Sequence, residues 1–163
     1  MLFRSGNWLT LDFPAGESEE REPPAVMLSA LGIDSYLHAR KGRAWIIELA
    51  SRDQVEALRP NIAAMTPGEH KVTVTAACSG EYDFVSRFFS PGEAVWEDPV
   101  TGSAHTMLIP YWSAKLGKTQ LLARQVSARG GDIRCQLKGE RVLMSGQAVT
   151  YLNGVITDRK SVV

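Results

Sequence analysis

The 163-residue chain carries 18 Lys and Arg against 18 Asp and Glu, with 44% hydrophobic and 22% charged side chains. That balance suits a single compact globular domain, and a formal charge of zero supplies no overall field to gather nucleic acid or an anionic membrane surface, so neither partner is expected. No apolar run approaches the roughly 18 residues of a membrane span, and no positively charged start leads into a short apolar run, so a cytoplasmic setting is expected.

Residues 7–15, NWLTLDFPA, alternate Trp8, Thr10 and Asp12 against Leu9, Leu11 and Phe13 and end at a proline turn, which predicts a strand. The polar GESEEREPP at 16–24 reads as a connection. Pro23 and Pro24 then open a short helix through AVMLSAL, with Gly32 just past its end. SYLHAR and RAWIIELA predict two strands joined by a turn at Lys41 and Gly42. In SRDQVEALRP, Ser51 is placed to cap a short helix that a proline stops. KVTVTAAC and DFVSRFF follow as strands that pair or lie adjacent. From residue 119, TQLLARQVSAR, DIRCQLK, RVLMSGQAVTYL and GVI are strand-like pieces separated by glycines.

The predicted helix from Ser103 to Leu116 is different. Ala104, Met107, Leu108, Ile109, Tyr111, Trp112, Ala114 and Leu116 spread apolar surface around most of its girth, which calls for enclosure. Pro110 removes one of its hydrogen bonds and is expected to bend it, and Gly117 closes it. A sheet wrapped around one buried helix follows from these features.

Charge is unevenly distributed: residues 106–163 hold nine basic and three acidic side chains, a net +6. Such a surplus helps to attract a carboxylate if it lines a cleft, and otherwise marks a solvated strand face. The two cysteines, Cys78 and Cys135, each sit in an alternating run, so buried free thiols are expected in a reducing compartment.

Immediately before the long helix stands WEDPVTGSAH, residues 96–105. Asp98 and Pro99 start a tight turn, and Gly102 is read as admitting a backbone conformation that a Cβ would resist. The amides near Gly102, Ser103 and Ala104 have no intrahelical acceptor and carry the positive end of the helix dipole, so they can cradle an anion. The hydroxyls of Thr101 and Ser103 would add donors, and Asp98 at the rim would orient a ligand or relay a proton. The competing reading is capping, the commoner use of Asp, Thr and Ser before an apolar helix. His105 reads more simply as a satisfied helix residue than as an acid. With His38 and His70 remote in sequence, no metal site is expected. LGKT at 116–119 lacks the upstream glycine of a phosphate loop, and ARGG at 128–131 reads as a turn between strands.

The segments SRFFSPGEAVWEDPVTGSAHTMLIPYWSAKLGKTQLLARQVSARGG and GQAVTYLNG resemble the phenazine biosynthesis-like (PhzF-like) isomerase family, relatives of diaminopimelate epimerase. LDFPA and VTVTA extend a weaker similarity over the remainder. The resemblance implies two similar lobes, each a β-barrel around a central helix, with ligand held between the two helix N-termini. For this chain it implies an α+β fold: one diaminopimelate-epimerase-like lobe, a mixed β-barrel wrapped round a helix at about 103–116. Residues 1–163 would then form a single domain corresponding to the C-terminal lobe.

The implied chemistry is proton transfer without a cofactor, at a carbon flanked by electron-withdrawing groups in a small carboxylate, starting with abstraction by a Glu. Asp98 and Ser103 match the family's acidic residue and serine and are the expected catalytic pair. Thr101, Gly102, Ser103, Ala104 and His105 are the expected substrate-binding group, with the amides of Gly102 and Ser103 cradling the carboxylate. Glu97 is not the abstracting residue, because a Glu at that spot accompanies a separate catalytic Glu in the family. The lobe carrying that Glu precedes the matched portion, so half a site is expected here, completed by a homodimer or a separate N-terminal lobe. The alternatives are a small-anion-binding module or a structural remnant without turnover. An uncovered apolar face would drive homodimer formation, and the strands after Gly146 are candidates for exchange between protomers.

Overall fold

The computed structural model describes residues 2–155. In chain order the elements are β1 (Leu2–Ser5), β2 (Trp8–Pro14), β3 (Glu19–Glu20), α1 (Ala25–Leu31), β4 (His38–Lys41), β5 (Trp45–Glu48), α2 (Arg52–Ala57), a 3-10 turn at Ile62–Ala64, β6 (Val72–Ala77), β7 (Phe84–Phe89), β8 (Glu97–Asp98), α3 (Gly102–Leu116), β9 (Gln120–Gln125), β10 (Gly131–Lys138) and β11 (Arg141–Gln147). One mixed sheet takes ten of the strands in the order β1-β2-β11-β10-β9-β7-β6-β5-β4-β3, and β8 pairs with β7 off that path. Among the described residues only the β5–β6 and β7–β9 pairings are parallel.

The central strands explain why the sheet carries two cores. WIIE in β5 and FVSRFF in β7 are buried along their whole length, as expected for strands covered on both faces. Their alternation then divides the side chains. Trp45, Ile47, Val85 and Phe89 join Met27, Leu31 and Val55 of the short helices in one core. Ile46, Phe84 and Phe88 turn the other way and meet Leu108, Ile109 and Trp112 of α3. That second core also takes Leu121 and Ala123 of β9, Cys135 of β10 and Met144 of β11, so strands far apart in the sheet converge on one helix.

The sheet curls around α3 but does not close into the expected barrel. β1 and β3 are its two edges, and among the described residues no ladder joins them. The reason lies in the connection at 15–18, which carries the chain from β2 to β3 at the opposite edge. Its polar groups bond across the gap individually: Gly16 N donates to Thr106 O at 2.9 Å, Ala15 N to Glu140 O at 2.8 Å, and Arg40 Nε donates to Ser18 Oγ at 3.1 Å. Nor is α3 enclosed all round, since Ala114 and Lys115 are exposed.

Polar contacts fix the C-terminal half of α3. Glu48, 2% exposed at the end of β5, accepts from Lys115 Nζ at 2.6 Å and from the Tyr111 hydroxyl. Burial and the Glu48 carboxylate push the Tyr111 hydroxyl above its usual range. Trp112 Nε1 donates to Thr75 Oγ1 at 3.0 Å, and Thr75 in turn donates to Val85 O.

Several local expectations hold. α1 ends at Gly32 in the left-handed region, β4 and β5 form the antiparallel hairpin, β6 pairs with β7, and Ser51 Oγ accepts from Gln54 N at 3.3 Å as the cap of α2. Others do not. β1, β3 and β8 were not expected. The two-residue β3 forms in the polar connection because an edge strand tolerates exposed charge at Glu19 and Glu20. Past Gln147 the expected strands are not formed through Val155, where Val149, Tyr151, Leu152 and Val155 stand exposed, and Ile156 of GVI lies outside the described residues. Cys135 is a buried free thiol, whereas Cys78 is only half-buried. No described helix is long and apolar enough to cross a membrane.

The close approach of the β4–β5 turn to the connection after β2 sets a packing limit that can be tested. A methyl group at Gly42 would press on the Glu17 carbonyl oxygen and lie 2.8 Å from Met107 Sδ. Gly42→Ala is expected to lower stability by about 1–3 kcal/mol, read as a drop in the urea midpoint, whereas Gly139→Ala, with open space around it but a positive φ, should cost less.

Candidate functional site

The turn before α3 is held from the sheet by a buried amide. Gln125, the last residue of β9, is fully buried among the polar groups of this turn. Its Oε1 accepts from Thr101 N at 2.8 Å, while its Nε2 donates to Asp98 O at 2.5 Å and to Thr101 Oγ1 at 3.0 Å. The loop after β9 adds a second clamp, with Ser127 Oγ donating to Pro99 O at 2.8 Å and accepting from Gly130 N at 3.0 Å. A Cβ at Gly131 would run into Val100, so ARGG is a turn whose lack of bulk lets it lie against the motif.

Thr101 occupies the N-cap position of α3 with an extended backbone, but its hydroxyl makes no capping hydrogen bond. Its carbonyl accepts from His105 N at 3.4 Å and meets His105 Nδ1 at 2.7 Å. The amides of Gly102, Ser103 and Ala104 have no hydrogen-bond partner among the described residues. The capping expectation is therefore met at Ser51 and overturned here. Gly102 and Ser103 are exposed, and Ala104 is buried.

Gly102 takes an ordinary negative φ at the first helical position, and a Cβ there would meet nothing within 4 Å. The expected conformational requirement for glycine is absent. What glycine supplies is open space over the free amides.

A cleft of about 1080 Å³ opens beside this helix start. Thr101, Gly102 and His105 line it together with Trp8, Val100, Arg4 and Arg129, whereas Asp98, Ser103 and Ala104 do not. Asp98 is half-buried in β8, opposite Phe88, and its carboxylate has no hydrogen bond or ion pair among the described residues. The ring of His105 is fully buried beside Phe84, its Nε2 without a partner, and burial lowers its pKa from 6.5 against the opposing effect of the Thr101 carbonyl. Thr101 and His105 thus contribute inner wall rather than exposed donors.

Glu97 is fully committed elsewhere. Arg87 grips both its oxygens at 2.7 and 3.0 Å, donates to Val55 O and Leu58 O, and lies over the Phe89 ring. Four cations after residue 105 are likewise matched: Lys115 with Glu48, Lys118 with Asp83, Arg124 with Asp132 and Arg141 with Asp12. Arg134 stacks on Trp8, leaving Arg4 and Arg129 as the cations beside the helix start. Gln125 and Ser127 were missed as site residues. The signal was an amide at the end of the strand-like run LLARQ.

The model of the phenazine biosynthesis-like protein family matches residues 22–154. The chain belongs to that family. A Pseudomonas aeruginosa protein named as an uncharacterized isomerase is 41% identical over 153 residues, covering 94% of this chain and 59% of that protein. A rat phenazine biosynthesis-like domain-containing protein is 34% identical over 94% of this chain and 60% of its own length. A crystal structure of a PhzF-family phenazine biosynthesis protein from Enterococcus faecalis superposes with a TM-score of 0.85 at 36% identity, covering 93% of this chain and 58% of that one. The chain thus spans about three fifths of the length of these PhzF-like relatives.

Two outcomes separate structural from chemical residues in this site. Glu97→Ala strands the Arg87 guanidinium in a buried position and should cost about 3 kcal/mol in urea unfolding. For His105, the unfolded chain takes up its proton near 6.5 and the folded chain only at lower pH, so the stability present above that pH is lost as pH falls towards the folded value. His105→Gln should accordingly shrink the drop in urea midpoint between about pH 7.5 and 5, and an undiminished drop would assign the acid sensitivity to other groups.

Proposed function

We propose that this chain is the carboxylate-holding lobe of a cofactor-independent proton-transfer site, the C-terminal half of a two-lobed PhzF-like isomerase. A cytoplasmic setting is part of this reading, supported by the two free cysteines. The observation that carries the reading is the uncapped start of α3: the amides of Gly102 and Ser103 are exposed and unpartnered beside an open cleft. Unpaired amides at the positive end of a fifteen-residue helix stabilise a negative charge, and they do so most strongly where water is excluded.

In this scheme the substrate carboxylate sits on the Gly102 and Ser103 amides, assisted by Ser103 Oγ, with Arg4 and Arg129 adding attraction from the cleft wall. Asp98 is the acid or orienting group, its carboxylate free of any competing cation. The proton-abstracting base comes from a second lobe or a second copy of the chain. Glu97 cannot fill that place while Arg87 holds both its oxygens, and Asp132, the carboxylate that lines the cleft, is paired with Arg124 at 2.5 Å.

Among the described residues no unpaired carboxylate lines the cleft, which also supports a second reading, a module that binds small anions without turnover. Incubation with amino and enol acids in heavy water, with and without the first lobe of a relative, separates the two. Incorporation of deuterium at the activated carbon supports transfer, and its reduction by at least roughly tenfold in Asp98→Asn would place that carboxylate in the reaction. Acetate shifting the Gly102 and Ser103 amide resonances without any exchange would leave only the binding module. The homodimer that would supply a second copy is tested by light scattering at tens of micromolar, where a monomer rules it out.

A further inference from the structure

We infer that Gln125 is a positioning residue whose task is to keep the entry of α3 uncapped, by holding the Thr101 hydroxyl away from the helix amides. This inference rests on the reading above that those amides receive a carboxylate.

The two helix starts of this chain provide the contrast. At α2, Ser51 has an extended backbone and its hydroxyl accepts from Gln54 N, the ordinary cap. At α3, Thr101 is also extended, with φ −104° and ψ 101° against −150° and 158° at Ser51, and its side chain is of the same capping class, yet no cap forms. At α3 the hydroxyl has a partner that Ser51 lacks, Gln125. Its Nε2 donates to Thr101 Oγ1 at 3.0 Å and fixes the hydroxyl on the sheet side.

The amide cannot exchange its two ends without loss. Both Nε2 hydrogens are used, on Asp98 O and Thr101 Oγ1, and Oε1 accepts from Thr101 N. A flipped amide would set a donor against the Thr101 N–H and an oxygen against the Asp98 carbonyl, in a pocket where Gln125 has no exposure to water. One buried side chain therefore fixes the backbone that carries Asp98 and at the same time diverts the natural cap. A leucine or methionine at this position would release both, leaving the Thr101 N–H and the Asp98 carbonyl without this partner.

Amide hydrogen exchange in the isotopically labelled chain tests this without any ligand. In Thr101→Val the exchange rates at Ser103 and Ala104 should stay within about twofold of wild type, because no cap is lost. In Gln125→Met the freed Thr101 hydroxyl turns to cap, and exchange at one of these amides should slow roughly five- to tenfold. Gln125→Met combined with Thr101→Val should restore the wild-type rate, which a general loosening of the turn would not do. Exchange that speeds up several-fold in Thr101→Val, or stays unchanged in a folded Gln125→Met, overturns the inference. If Gln125→Met does not fold, the Thr101→Val rates decide alone.

Titration with acetate adds the functional side. Perturbation of the Gly102 and Ser103 amide resonances should weaken several-fold in Gln125→Met and recover in the double variant. No perturbation in the wild-type chain would count against the carboxylate reading, while the exchange rates would still judge Gln125.

Discussion

An α-helix that is apolar around most of its girth cannot be covered by a flat sheet. α3 presents Met107, Leu108, Ile109 and Trp112 for complete burial, each worth about 1.5–3 kcal/mol for a side chain of that size. The sheet meets this demand by bringing β5, β7, β9, β10 and β11 onto the same helix, while α1 and α2 cover its opposite face. Once the strands are committed to that curvature, the connection after β2 and the β4–β5 turn both close on Met107. There the backbone near Gly16 and Gly42 comes too close for a β-carbon on either residue. An open, curled sheet bridged by a short connection is the consequence.

Seating the helix leaves the question of where its polar ends go. Towards the C-terminus, Tyr111 and Lys115 are tied to Glu48 and Trp112 to Thr75. At the N-terminus the hydrogen bonds run to the flanking turn instead, through Gln125, Ser127 and His105, and stop short of the first helical amides. Uncapped amides cost a protein about 1 kcal/mol relative to a good cap. A fold that spends its buried polar contacts on the turn and leaves these donors free has traded a little stability for a positive, rigidly mounted surface. Rigid mounting matters because an anion site loses strength when its donors must reorganise to meet the charge.

The same division separates residues of one sequence motif into different kinds of work. Glu97 and Asp98 are neighbours in β8, but Glu97 locks Arg87 to the core while Asp98 keeps an unpaired carboxylate. Gly102 and Ser103 face solvent, whereas Thr101 and His105 line the cleft from beneath. PhzF-like relatives extend well beyond the length matched here. Leu2 and Val149 line the cleft, and they and Phe3 are exposed.

The sequence by itself determined the local elements whose signals are local. Pro24 and Gly32 bounded α1, Ser51 capped α2, alternation marked β2, β-rich composition marked β6 and β7, and the greasy girth of the 103–116 stretch announced a buried helix. The motif WEDPVTGSAH, with the long segment around it, also fixed the family, because so many specific residues in order leave little room for chance. Only the tertiary structure decided whether the helix start was capped or free. That choice turns on Gln125, which lies 24 residues beyond Thr101 and reaches it only because β9 is parallel to β7. It also decided that the sheet stays open and that Lys115, Lys118 and Arg141 pair with acids from earlier in the chain. Periodicity and capping preference report what a segment does with its own neighbours, whereas hydrogen bonds across the sheet depend on which distant strand is laid alongside.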